Sequence, residues 1–263
     1  MSTTPILDHK FYDKPSIFQP ENLLREARRQ KEITELVIPE ICILDPDGDI
    51  QEYVIQNYNA QRNKAWACYH TKLYEFNYGI TTLGIIGQAV GASFAVLLAE
   101  QLFASGCKLL LSMTSSGQLV QPMEPPYFIL IEKAIRDEGT SYHYLPPSDF
   151  SFLKSDLKKK LTNVFDNLEQ RIFSGSTWTT DAPYRETEDA INYYKSIGIH
   201  AVEMEASALY AFAEARNKNV ICFAHVTNQM ASIDGDFEKG EHNGSVDALK
   251  VLFGVIDKLP TIL

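Results

Sequence analysis

One stretch, residues 81–113, constrains the fold more than any other in the chain. TTLGIIG (81–87) is a compact apolar run closed by a glycine. Gln88 to Gly91 make a turn of small residues, and ASFAVLLAEQLFASG (92–106) is then apolar almost all round. A helix with no polar face must be buried, and Gly106 suits the C′ position that ends it. KLLLSM (108–113) is a second short apolar run, and it feeds a loop of hydroxyls and glycine, TSSGQ. Strand, buried helix and strand within about 30 residues make a βαβ unit, whose two strands lie parallel. Ligands collect at the C-terminal ends of such strands. A site is therefore expected at Gly87–Gly91 and Thr114–Gly117.

The remaining segments fill in an α/β domain. ENLLREARRQKE, just after Pro20, reads as a surface helix whose Arg25, Arg28 and Arg29 face solvent or an anion. VIPEICILDPDGDIQEYV carries a short strand ended by Asp45-Pro46-Asp47-Gly48, strong turn chemistry. YFILIEKAIRDE (127–138) reads as a helix closed by Gly139. Residues 151–171 alternate Lys, Asp and Leu and read as a surface helix. SGSTWTTDAPYRET (174–187) is extended at first and turns to loop at Asp181-Ala182-Pro183. A polar helix follows at 188–197, and AVEMEA (201–206) leads into an alanine-rich helix. NVICFAHVTN (219–228) is a buried strand with a polar end, and 245–258 make the last amphipathic helix. Repeats and low-complexity linkers are absent from the sequence. The expectation is one α/β domain with a central mixed, partly parallel sheet flanked by helices.

Composition removes several functions. The 263 residues carry 24 Lys and Arg against 34 Asp and Glu, a net charge of -10. A dedicated nucleic-acid binder needs a basic face, so that class is not expected, although a small anionic substrate is compatible with the charge. No apolar run approaches about 18 residues, so no membrane span is expected. The opening MSTTPILDHKFYDKPSIF lacks the apolar core of a secretory signal. Cys42, Cys68, Cys107 and Cys222 form no CxxC pair and sit in apolar surroundings, which reads as buried thiols in a reducing, cytoplasmic setting. His9, His70, His143, His200, His225 and His242 are scattered, so no metal is expected, and no cofactor either.

Four constellations stand out. Glu203-Met204-Glu205 places two carboxylates at a strand end. They either cap the next helix or serve a ligand. His225-Val226-Thr227-Asn228 ends a buried strand, with Asn228 open to turn bonding or to a ligand and His225 facing the core. Residues 136–144, RDEGTSYHY, gather aromatics, a hydroxyl and an imidazole. Thr180-Asp181-Ala182-Pro183-Tyr184-Arg185 combines an aromatic with a guanidinium, which suits a heterocyclic base as well as loop packing.

In order along the chain, GQAVGAS, SMTSSGQ, RDEGTSYHY, TTDAPYR, VEMEAS (202–207) and VTN resemble the nucleoside phosphorylase superfamily, which holds uridine phosphorylases, hexameric-type purine nucleoside phosphorylases and related nucleosidases. The resemblance runs over about residues 65–257 and leaves residues 1–60 as a divergent N-terminal extension of a single domain. It implies cleavage of a nucleoside N-glycosidic bond through a ribosyl oxocarbenium-like transition state. Carried onto this sequence, it makes Glu205 the carboxylate that grips the ribose hydroxyls, with Met204, Glu203 and His70 around the sugar. His70 falls where a neighbouring subunit donates a cation. Pro183, Tyr184 and Arg185 fall at the base, Arg185 from a shifted position. Asn228 stands where purine-specific members keep an aspartate that protonates the base. An amide donates a hydrogen bond but no proton, so the resemblance implies an oxo-base nucleoside.

The anion site departs from the pattern. The family's Gly-Asp-Pro turn with its following arginine is here Leu44-Asp45-Pro46-Asp47-Gly48, and the family's second arginine is Ser112. Two guanidiniums that would clasp phosphate are missing. Ser115, Ser116 and the backbone at Gly87 are left to hold an anion or a water. The expected activity is that of a nucleoside phosphorylase-like pentosyltransferase, with phosphate as co-substrate. The alternatives are a nucleosidase that uses water, with Asp47 or another acid as base, and a binding member without turnover. The resemblance also implies a homodimer or a trimer of dimers.

Overall fold

The computed structural model describes residues 4–230 and 236–258; the first three residues of the opening stretch lie outside them. Strands are β1 (Ile41–Asp45), β2 (Gln61–Arg62), β3 (Tyr74–Tyr78), β4 (Thr81–Gly87), β5 (Leu109–Gln118), β6 (Tyr127–Asp137), β7 (Phe150–Phe152), β8 (Ile172–Thr180), β9 (Ala201–Glu203) and β10 (Val220–Asn228). Helices are α1 (Pro20–Gln30), α2 (Asp49–Asn57), α3 (Ala92–Ala104), α4 (Ser155–Lys160), α5 (Glu188–Ser196), α6 (Ala206–Ala215) and α7 (Ser245–Ile256). All the strands belong to one mixed sheet. The βαβ unit expected at 81–113 is β4, α3 and β5, with β1 inserted between the two strands and parallel to both.

β5 is the centre of the sheet. Its first half, Leu109–Met113, is buried throughout and lies between β1 and β10, both parallel to it. A strand covered on both faces needs no polar alternation, which is why the run is continuously apolar. Its far end pairs with β9 instead, antiparallel, through Gly117↔Val202 and Gln118↔Ala201. β9 joins β8, β8 joins β6, and β6 returns to β10. Five strands (β5, β10, β6, β8, β9) thus close into a ring, with β1, β4, β3 and β2 continuing the sheet outward. α6 packs on β6, β7, β8 and β10 and against α3, while α2 packs on α7. Its small alanines let the helix lie close to the strands. α3 starts after Gly91 (φ 95), a left-handed position that favours glycine, and Gly106 (φ 112) follows its end.

Three expectations are corrected. Residues 127–138 are not a helix but β6. Tyr127–Ile131 are buried without interruption between β10 and β8, so the segment shows no alternation that would distinguish strand from buried helix. TSSGQ is not a loop; it is the second half of β5. Residues 151–171 hold only the short α4 after β7, and Asn163 (φ 62) lies in left-handed backbone in the turns that follow.

Candidate active site

β1, β4, β5 and β10 run in one direction, so Asp45, Gly87, Ser115 and Asn228 gather at one end of the sheet. β9 comes back along the overshooting tip of β5 and brings Glu203 to the same place. The two glutamates then part. Glu203 is buried and fully bonded: Oε1 accepts from Thr177 Oγ1 (3.0 Å) and Thr179 Oγ1 (2.5 Å). Its Oε2 accepts from the backbone N–H groups of Glu205 and Ala206, both at 2.7 Å. The Glu203 side chain thus satisfies the first N–H groups of α6, whose N-cap residue is Glu205, so the capping role foreseen for the pair belongs to the Glu203 carboxylate, with Oε2 facing the helix and Oε1 the threonines of β8.

Glu205 crosses instead to the neighbouring unit. Its Oε1 accepts from Gly91 N at the start of α3 (2.7 Å), and Oε2 accepts from Thr114 Oγ1 (2.8 Å). The Met204 backbone N–H adds a weaker third bond, and the carboxylate still has acceptor capacity for a further donor. Only 1% of the residue is exposed. Burial, and then the charge of Glu203, push its pKa up to about 8, against the bonds from Gly91 and Thr114. Met204, half-buried, lies between the two glutamates in sequence.

Asn228 closes the end of β10. Its Nδ2 donates to Ser116 O (3.4 Å) and Thr227 Oγ1 (3.2 Å), and its Oδ1 accepts from Met230 N (2.9 Å). The turn-bonding alternative therefore describes this residue as it stands. The Met230 thioether lies over Gly117, where a Cβ would come within 2.4 Å of the sulfur. His225 is buried and stacked on Phe128, with centroids 4.5 Å apart; burial and then Lys239 lower its pKa to about 4, so it is a neutral core histidine.

The loops at 139–144 and 181–185 meet where Gly139 N donates to Asp181 Oδ2 (2.8 Å). Arg136 organises the first of them and binds no ligand-facing surface: it donates to Ser141 Oγ, Pro146 O, Ser148 Oγ and Leu145 O. Tyr184 is 99% exposed, so within one chain it walls nothing, and Arg185 is exposed beside it. Pro183 is half-buried. His70 is also exposed, on a depression of about 460 Å³ that it shares with Gly87, Gln88 and Phe94.

At the position expected to hold the anion the chain bonds to itself. Gly87 N donates to Gln51 Oε1 (2.8 Å), and Ser115 Oγ donates to Asp47 Oδ2. Ser116 Oγ is buried and has no partner among the described residues. The cation there is Lys239, which sequence reasoning missed: its Nζ lies 2.7 Å from Asp47 Oδ2 and 2.6 Å from Asp49 Oδ2. Nothing in its sequence neighbourhood marks it, because its partners lie some 190 residues away. Asp45 is buried beneath them and accepts from Gln51 N (2.8 Å); burial, above all, raises its pKa to about 7. The four cysteines are buried and unpaired, and no cluster of metal-ligating side chains occurs among the described residues. No helix among them is long and apolar enough to cross a membrane.

Known proteins share this arrangement of strands. The family model for the phosphorylase superfamily matches residues 40–256. A guanosine phosphorylase from Halorubrum lacusprofundi is 25% identical over 174 residues, 66% of this chain and 69% of that protein. In structure, a purine nucleoside phosphorylase from Toxoplasma gondii, solved with immucillin-H, superposes with a TM-score of 0.71 at 17% identity, over 83% of this chain and 90% of that one. A uridine phosphorylase from Vibrio fischeri superposes with a TM-score of 0.67 at 21% identity, over 86% and 92%. The structural likenesses are of fold, and the match over 40–256 takes in β1, α2 and the whole site from Asp45 to Asn228. This chain belongs to the phosphorylase superfamily.

Proposed function

We propose that the protein breaks the N-glycosidic bond of an oxo-base nucleoside and passes the pentosyl group to an acceptor. One observation carries the reading: a buried carboxylate, Glu205, stands where β5, β9 and the start of α3 converge, with lone pairs left over. Two ribose hydroxyls donating to it would orient the sugar. Its charge would then favour the cation that develops at the anomeric carbon, an interaction stronger in the transition state than in the ground state. Free of ligand the group ionises near pH 8. Hydroxyl donors and a developing cation both favour the charged form and draw that value down.

The base would lie toward Gly117 and Asn228, below Met230. The bond from Asn228 Nδ2 to Ser116 O is long (3.4 Å), so a base carbonyl could take that proton. Pro183, Tyr184 and Arg185 would close over it only when the loop moves in. His70 faces outward, as a residue offered to a second copy would. A second reading, hydrolysis by water, is favoured by the Asp47–Lys239 pair at the anion position. The test is a nucleoside panel with chromatographic detection of free base, with and without phosphate. Release of base from a uridine- or inosine-type substrate is expected; tight binding with no release from any nucleoside would mean a binding protein.

A further inference from the structure

Lys239 and Ser115 are arranged as an anion holder would be, with an ammonium and a hydroxyl aimed at one point. That point is occupied by the chain itself. Asp47 Oδ2 accepts from Ser115 Oγ and lies 2.7 Å from Lys239 Nζ. The arrangement is braced on both sides. Asp49 also takes Lys239 (2.6 Å) and accepts from Asn243 Nδ2 (3.1 Å), and Asp45 lies buried below. Two carboxylates thus hold one ammonium, leaving the neighbourhood negative where an arriving dianion would need it positive. Beside Asp47 is a cavity of about 20 Å³, lined by Asp45, Thr114, Ser115 and His225. A single water needs roughly 10–15 Å³ of such space, so one water fits and a phosphate does not.

We propose that Asp47 is a built-in anion that fixes the acceptor: its carboxylate fills the Lys239–Ser115 position, excludes inorganic phosphate, and leaves water as the acceptor of the pentosyl group. The proposal rests on the nucleoside-cleaving reading. In the step it implies, the water oxygen bonds to the anomeric carbon as the C–N bond breaks. The bonding pair leaves with the base nitrogen, which takes a proton from solvent, and the proton lost by the water passes to the Asp47 carboxylate. Nucleoside and water give free pentose and free base, with nothing oxidised or reduced.

The test pairs a binding measurement with a turnover measurement. Inorganic phosphate is titrated by calorimetry into the wild-type chain, Asp47→Asn, Asp47→Ala and the double variant Asp47→Ala/Lys239→Met. Wild type should take up no phosphate in the millimolar range. Both single variants should gain affinity by about tenfold or more, the effect of removing one like charge at contact distance. The double variant should lose that gain. Base release by wild type should be unchanged by phosphate and yield free pentose rather than its 1-phosphate. Saturable phosphate binding by wild type, phosphate-dependent release, or folded Asp47 variants with no gain would overturn the proposal. Absence of base release from every nucleoside would sink the functional reading instead, and the phosphate titrations would still decide the role of Asp47.

Discussion

Replacing Glu205 by Gln should make the protein more stable and inactive at once. The side chain is buried, and its pKa rises from the ordinary 4.5 to about 8 because burial and Glu203 disfavour its charge. Below pH 4.5 folded and unfolded chains both carry the proton. Between pH 4.5 and 8 the unfolded chain has released it while the folded chain still holds it, so stability falls as pH rises. Above pH 8 both are ionised and the loss is complete. A carboxyl moved that far loses at most about 5 kcal/mol, and sharing the burden with Glu203 makes ~2–3 kcal/mol the working figure. Gln keeps the shape, accepts from Gly91 N, and lets the Thr114 hydroxyl turn to accept from its amide. Melting temperatures across pH 5–9 should coincide near pH 5 and separate by roughly 5–10 °C at pH 8.5, with the variant higher. Base release should fall by ~100-fold or more in the variant. In the wild type, kcat/KM should climb with pH and level off above about 8. A melting difference that ignores pH, or a variant less stable at pH 8.5, would refute the reasoning.

Further outcomes follow from individual contacts. Glu203→Ala removes four buried hydrogen bonds, two of them to the first turn of α6, and should cost about 3 kcal/mol in denaturant unfolding; a loss under ~1 kcal/mol would show that the cap is replaceable. Gly244→Ala puts a methyl 2.1 Å from His225 Cε1 and 2.4 Å from Lys239 O at φ +76, so it should yield a strongly destabilised or insoluble chain. Gly117→Ala presses hardest on the flexible Met230 thioether (2.4 Å) and touches Asn228 Oδ1 (3.3 Å) and Val202 Cγ1 (3.4 Å) less closely, so unfolding should shift by only about 1 kcal/mol while base release drops; unchanged kinetics would place the base elsewhere.

The sequence carries the fold unevenly. The βαβ unit was legible because α3 has no polar face and both neighbouring strands are short apolar runs bounded by glycine. β6 was not, because its first half is buried on both sides and carries no period of two. The site divides in the same way. Glu203 and Glu205 could be found because two carboxylates beside an apolar helix are conspicuous, yet their division, one capping α6 and the other reaching across to α3, depends on Thr177, Thr179 and Thr114, which come from other strands. Lys239 could not be found from the sequence, since one lysine in a polar stretch carries no signal until the fold sets it against Asp47 and Asp49.

The closed ring of five strands has a consequence for how the chain reaches its native state. β5 and β6 keep open edges until Val220–Asn228 arrives to pair with both, far along the chain from Leu109. Such distant pairings incur their loop-closure entropy before any contact offsets it, which places folding on the slow side for an α/β protein. During that interval β5 presents a continuous apolar edge of the kind that seeds association between chains. Substitutions that weaken β10, even far from Asn228, should therefore reduce the yield of soluble protein before they change the behaviour of molecules that have folded.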